Sequence, residues 1–265
     1  MNAVSSAVMS AASASREMSL RRVLGAYLQE ARAECLRYLR NPGFMIPTLI
    51  LPTAFYLMFG ILIGHANGPD APRYLLAAYG TFGVMSPGLF GFGVALSMER
   101  DNGLLTLKRA LPMPPGTYLL GKVVMSIFAA AVVSCILVLL ATLVAHVQLS
   151  PAQMAGLFAT NLFGALPFCA MGLMLGMLIK GTGGPGIVNL IYLPMAFMSG
   201  LWFPLSLMPK AVQDIALVLP PYHLNQVALT VVGLGHDAVW PHVAALAAFS
   251  AVFLAIAARR LRRHG

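Results

Sequence analysis

Residues 123–145 read VVMSIFAAAVVSCILVLLATLVA, a stretch without a single Asp, Glu, Lys or Arg. A hydrocarbon layer ~30 Å thick takes ~20 helical residues to cross, and this run is long enough. Runs of the same kind lie at 45–63, 74–98, 154–179, 186–203 and 239–258, the fifth being the shortest. Lipid offers the backbone no hydrogen-bond partner, so each run is expected to be a helix. The expected fold is therefore an all-α membrane protein with six transmembrane helices. Composition agrees: 59% of residues are hydrophobic, only 9% are charged, and the mean hydropathy is +0.81. A soluble domain would carry roughly 25% charged residues.

The formal net charge of +9 raises the question of a nucleic-acid partner, and the position of the charges answers it. Arg16, Arg21, Arg22, Arg32, Arg37, Arg40, Arg100, Lys108, Arg109, Lys122, Lys180, Arg259, Arg260, Arg262 and Arg263 fall on one side of a six-span arrangement. Only Arg73 and Lys210 fall on the other. Fifteen against two is the positive-inside pattern, with both termini cytoplasmic, and not a basic face for phosphates. The central parts of the spans hold no Asp, Glu, Lys or Arg. Ion-coupled carriers bind their coupling ion on such groups within the membrane, so energy is expected to enter elsewhere, or the chain is a passive scaffold.

Three cysteines, Cys35, Cys135 and Cys169, form no CxxC pair, and no disulfide framework or metal site is indicated. Histidines 65, 146, 223, 236 and 242 fall near the outer interface without HxxxH or HxH spacing, and are expected to be polar interfacial residues. Glycines recur at helix-packing spacing (Gly60/Gly64, Gly172/Gly176, and Gly88, Gly91 and Gly93), fitting close packing either within one subunit or between two. The string Gly116-Thr117-Tyr118-Leu119-Leu120-Gly121-Lys122-Val123 imitates a P-loop but puts valine where a hydroxyl must hold magnesium, and no strand precedes it.

Residues 1–19 are Ala/Ser-rich and lack a basic start, which reads as a disordered cytoplasmic tail; Met18 is an alternative start. Residues 20–40 are amphipathic. Leu20, Val23, Leu24, Tyr27, Leu28, Ala31, Cys35, Tyr38 and Leu39 recur at helical spacing, while Arg32, Arg37 and Arg40 occupy other faces. Such a helix lies in the membrane interface or packs on a partner domain. The segment 204–234 is too polar and proline-broken for a span, and short helices dipping back into the outer leaflet are expected there. Residues 259–265 form a basic cytoplasmic tail.

Between spans two and three, residues 98–121 read MERDNGLLTLKRALPMPPGTYLLG. Gly103 turns the chain, and Leu104, Leu105, Leu107, Ala110 and Leu111 set an apolar stripe on a short helix carrying Lys108 and Arg109. Pro112, Pro114 and Pro115 stop it. This helix suits a groove on a partner or the lipid surface equally well.

Glu99-Arg100, Gly103, Pro112 nine residues after that glycine, and Leu119-Leu120-Gly121-Lys122 resemble the signature of the type-2 permease family of ATP-binding-cassette exporters. Leu104 stands where the family often has threonine. Arg40-Asn41-Pro42, and Ser199-Gly200-Leu201-Trp202-Phe203-Pro204 followed by Pro209 and Leu219-Pro220, are similar to two further family features. The resemblance implies that residues 20–258 are the permease domain of an inner-membrane transport subunit without an ATPase site or cofactor of its own. Two permeases, identical or paralogous, would form a dimer on separate ATP-binding subunits that hold ATP and magnesium. Glu99, Arg100, Gly103, Leu104, Leu107, Lys108, Leu111 and Pro112 would couple to the ATPase, assisted by the interfacial helix with Arg32, Arg37 and Arg40. Gly200, Phe203, Pro204, Pro209 and Pro220 would shape the outer re-entrant segment. The cargo would be amphipathic or lipid-like: a drug, lipid or lipid-linked glycan. A membrane-embedded enzyme or a non-transporting scaffold is the competing reading, and no clustered acids or Ser/His pair in the sequence favours an enzyme.

Overall fold

A computed structural model describes residues 20–63, 68–104, 114, 116–179, 181–235 and 237–264, and every regular element among them is helical. Helix α1 (Leu20–Leu39) stops before Asn41-Pro42, because a residue ahead of proline is pushed out of the helical region. Pro42 then opens α2 (Pro42–Phe55), where a missing N–H costs nothing. Helix α2 runs on as a π-helical segment, Tyr56–Leu62. Likewise α3 (Ala71–Gly88) passes through the π-helical segment Leu89–Val94 into α4 (Ala95–Asp101). Each π segment begins within about a turn of an in-helix proline, Pro52 or Pro87. Proline removes one backbone donor, and the ladder re-registers to wider bonds such as Ile63 N–H to the Met58 carbonyl at 3.1 Å.

Helix α5 spans Thr117–Leu143 and α6 spans Pro151–Leu178. Ser150 caps α6: its hydroxyl accepts from Gln153 N–H at 3.2 Å, and its own N–H donates to Gln153 Oε1 at 2.9 Å. Helix α7 (Gly184–Met198) ends in a turn at Ser199-Gly200. The short helix α8 (Lys210–Ala216), then α9 (Pro220–Val231) and α10 (Val239–His264), complete the chain.

Five helical stretches are long and apolar enough to cross a membrane: Pro42–Leu62, Ala71–Asp101, Thr117–Leu143, Pro151–Leu178 and Val239–Arg260. The run expected at 186–203 gives α7, which at 15 residues is a shorter apolar helix. It stops at Met198 because Gly200 turns the chain with φ +77°. Several helices begin a few residues before the expected starts, since capping and first-turn prolines set the start while hydropathy marks only the first apolar residue. The segment 204–234 does hold short helices. The helix expected within 104–111 falls largely outside the described residues.

The stretch containing α3 and α4 is the hub, 78% buried over its most apolar window against 22% for α2 and 11% for α10. It packs on α5, α6 and α9. At Gly172 an added Cβ would collide with the Gly88 carbonyl, and at Gly176 it would lie 2.9 Å from the Phe92 carbonyl. These glycines therefore serve packing within one subunit; Gly64 lies outside the described residues. Mid-bundle, Asn161 donates to Ser134 Oγ at 2.9 Å, a polar tie between α6 and α5. Phe82 stacks on Tyr192 at 5.0 Å and on Phe55 at 6.1 Å, joining α2, α3 and α7.

Candidate functional site

Three segments converge where the 102–116 loop leaves and re-enters the bundle. Helix α5 starts at Thr117, well ahead of the apolar run, so Tyr118 and Lys122 are one helical turn apart on the same face. The C-terminal end of α4 supplies Glu99, and α1 supplies Glu34 and Arg37, three residues apart. Helix α1 can lie close because Gly121 has no side chain: a Cβ there would meet Glu30 Cγ at 3.0 Å and the Glu30 carbonyl at 3.3 Å.

Among the described residues the side chains of Glu34, Arg37, Glu99, Tyr118 and Lys122 form one cluster of opposed charges. Arg37 donates to Glu34 Oε1 at 3.0 Å and to Glu99 Oε1 at 2.7 Å. Lys122 Nζ donates to Glu34 Oε2 at 3.3 Å and Glu99 Oε1 at 3.4 Å, and sits 5.0 Å from the centroid of the Tyr118 ring. The Tyr118 hydroxyl donates to Glu99 Oε2. Glu34 and Lys122 are only 2% and 1% exposed, Glu99 12%, and Arg37 47%. Two carboxylates face two cations among the described residues, and this pairing offsets the cost of burying them. A small cavity of about 190 Å³, with Glu34, Arg37 and Lys122 in its wall, adjoins the cluster.

Arg100, next to Glu99, reaches the other way. Its guanidinium donates to the carbonyls of Met177 at 3.0 Å and Ile179 at 2.7 Å, closing the C-terminal end of α6 where backbone acceptors lack partners. Gly103 follows with φ +73°, and Leu104 is the last described residue before the loop. Leu107, Lys108, Leu111 and Pro112 lie outside the described residues. Arg32 on α1 and Arg40 just beyond its end are exposed, apart from the cluster. Gly200, Phe203, Pro204, Pro209 and Pro220 lie toward the opposite end of the bundle, where Tyr74 donates to the Gly200 carbonyl at 2.7 Å.

Sequence reasoning missed Glu34 and Tyr118 and gave Lys122 only an orienting role. The signal for Glu34 was its place at 27-31-34-38 spacing, on the apolar face of α1. That face is divided: Glu34 and Tyr38 are buried, while Leu24 and Leu28 are 62% and 70% exposed. Burial pushes the Tyr38 hydroxyl up to about 12, and burial, with the neighbouring Glu34 charge, raises the Cys35 thiol above its ordinary value. Among the described residues no group of three or more His, Cys, Asp or Glu comes together to hold a metal. His223 and His242 do meet, Nδ1 to Nδ1 at 2.9 Å, joining α9 to α10, while His223 Nε2 reaches the Leu217 carbonyl at 3.0 Å. Burial chiefly, and the His242 charge, pull His223 below the usual imidazole value. His65 and His236 lie outside the described residues.

The site contains a charge clamp at the root of a loop, within a bundle of helices long and apolar enough to cross a membrane, and those helices define a multi-pass membrane protein. The sequence matches the family described as ABC-2 type transporter over residues 27–232, and the chain belongs to that family. It is thus a membrane subunit of an ATP-binding-cassette transporter. It is 31% identical to "Putative transport permease YvfS" of Bacillus subtilis, over 85% of this chain and 93% of that protein. It is 30% identical to "Inner membrane transport permease YhhJ" of Escherichia coli, over 64% of this chain and 46% of that protein. The Shigella flexneri protein of the same name gives the same figures. The chain thus covers about half the length of the two longer relatives.

Proposed function

We propose that this chain is the membrane-spanning half-unit of an ATP-driven exporter, coupled to a separate ATPase subunit that binds ATP and magnesium. The observation that carries this reading is the clamp of Glu34, Arg37, Glu99, Tyr118 and Lys122. It ties α1 and both stems of the 102–116 loop into one unit, as a loop driven by a partner requires. Leu104, Leu107 and Leu111 would enter the partner's groove with Lys108 at its rim, and Pro112 would end the coupling helix.

In this reading α7 is the fifth of six spans, α8 and α9 are the outer re-entrant helices, and α1 lies in the interface. The exposed Leu24 and Leu28 ridge supports the last of these, with Arg32 and Arg40 free to meet head groups. The Lys/Arg asymmetry supports cytoplasmic termini and an inner-membrane location. Outward apolar residues such as Ile50 and Leu190, 56% and 74% exposed, fit cover by lipid or by a second permease, identical or paralogous. The spans' lack of fixed charge supports an amphipathic or lipid-like cargo.

The test is ATPase activity of the cognate P-loop subunit purified with this chain in lipid, with and without Leu107→Asp. The wild-type pair is expected to co-purify and hydrolyse ATP, and the substituted loop to weaken assembly or coupling. A permease that purifies alone and leaves the ATPase unaffected refutes the reading.

A further inference from the structure

At the end of the bundle opposite the charge clamp, a cavity of about 460 Å³ opens among the start of α3, the end of the Tyr56–Leu62 segment and the turn after α7. That volume is in the range of small-molecule sites. Its wall carries four aromatic rings, Phe59, Tyr74, Trp202 and Phe203, and one charged residue, Asp70. The indole is held by edge-on contacts with Phe55 at 5.5 Å, Phe82 at 6.0 Å and Phe197 at 6.2 Å, so it is an inward-packed wall and not a ring floating at the head-group level. Its Nε1–H is buried and has no acceptor among the described residues.

Asp70 is the unexplained group. It stands at the N-cap of α3, yet its carboxylate makes no capping hydrogen bond. It forms no ion pair among the described residues. Arg73, the nearest cation in sequence, is turned away and donates to the Gln148 carbonyl at 2.9 Å. An exposed carboxylate without a countercharge among the described residues, beside a cage of aromatic faces, favours a ligand that is both cationic and apolar. Ring quadrupoles attract a diffuse positive charge, and the carboxylate adds direct Coulomb attraction.

We propose that this cavity is a binding site for lipophilic organic cations, with the aromatic rings taking the apolar body and Asp70 the charge. Its role as a release site for cargo rests on the exporter reading; the binding itself does not.

The chain contains two tryptophans, and Trp240 is 76% exposed, so Trp240→Phe leaves Trp202 as the sole reporter. That variant, in neutral maltoside detergent, is titrated with tetraphenylphosphonium and with its near-isosteric anion tetraphenylborate. Saturable change of Trp202 emission by the cation is expected. Asp70→Asn should weaken it by about two- to fivefold, as befits an exposed carboxylate, and Asp70→Lys more strongly. The anion's response should not weaken in either variant. No saturable response to the cation overturns the site, and equal cation binding by all three forms overturns the role of Asp70. Because no ATPase takes part, failure here is distinct from failure of co-purification.

Discussion

Replacing Lys122 with methionine keeps most of the side chain's length and removes its charge. Nζ lies 3.3 Å from Glu34 Oε2 and 3.4 Å from Glu99 Oε1, and at an effective dielectric of ~20 each contact carries ~5 kcal/mol of Coulomb attraction. Two effects cut that sum. The ammonium itself no longer has to be desolvated, which returns several kcal/mol. Arg37 also remains on both carboxylates. What is left is Glu34, 2% exposed, without the Lys122 charge in a site where burial limits its rehydration. We expect Lys122→Met to cost about 3 kcal/mol, the low end for breaking a buried pair. Removing both charges with Glu34→Gln and Lys122→Met leaves Arg37 and Glu99 paired, and should cost only about 1 kcal/mol. Denaturant titration in mixed micelles, followed by circular dichroism, measures the cycle. A Lys122→Met cost below about 0.5 kcal/mol, or a double variant matching the sum of the singles, would refute an energetically coupled clamp.

Arg100→Lys should lose about 1–2 kcal/mol, because an ammonium cannot reproduce the guanidinium's two-point contact with the Met177 and Ile179 carbonyls; the same titration reads it. Gly121→Leu should push α1 off α5. The Cys35 thiol, half-buried and raised above its ordinary value chiefly by burial, should then be more accessible and more readily ionised, and alkylate faster at neutral pH than in the parent, in a background with Cys135 and Cys169 replaced by serine. Glu34→Gln alone should speed it less, since Glu34 is the smaller cause. For His223 the sign is set by a folded-state value below the ordinary 6.5, so the unfolded chain binds more protons as pH falls. Stability should hold above pH 6.5 and decline as pH drops below it, and His223→Phe should flatten that decline in thermal melts taken across the interval.

The spans were readable because lipid imposes one rule along the whole chain, and hydropathy reports it directly. Residues 116–122 show where that rule fails. Gly121 and Lys122 lower the local hydropathy, so the span was expected from 123, yet the helix begins at Thr117 and those two residues do specific work inside it. Glycine at 121 lets α1 approach, and lysine at 122 meets the acid that α1 brings. The resemblance of this string to a phosphate loop is a by-product of packing small beside charged. Glu34 was hidden for a related reason: an acid on an apolar face reads as a blemish until the partner that neutralises it is known, and Lys122 is 88 residues away. The aromatic cavity was hidden more completely, since its walls come from positions 59, 70–75, 202–207 and 234 and only tertiary packing assembles them.

Glu99 and Arg100 are adjacent on α4, about 100° apart around its axis, so they face different neighbours. Glu99 is bound to α1 and α5, while Arg100 is bound to the end of α6. A displacement of the loop stem must therefore move three other helices or break buried charge-assisted hydrogen bonds. Breaking them costs several kcal/mol, whereas tilting packed helices together preserves them. Under the exporter reading this makes the stem a stiff input, and α3, continuous with α4 through the π-helical segment Leu89–Val94, its shaft. That segment is the one place in the shaft where the backbone ladder is widened, and it lies against α6 and α7. Flexure there would let the clamped end move while the aromatic end stays packed, a division of labour that a uniform α-helix could not provide.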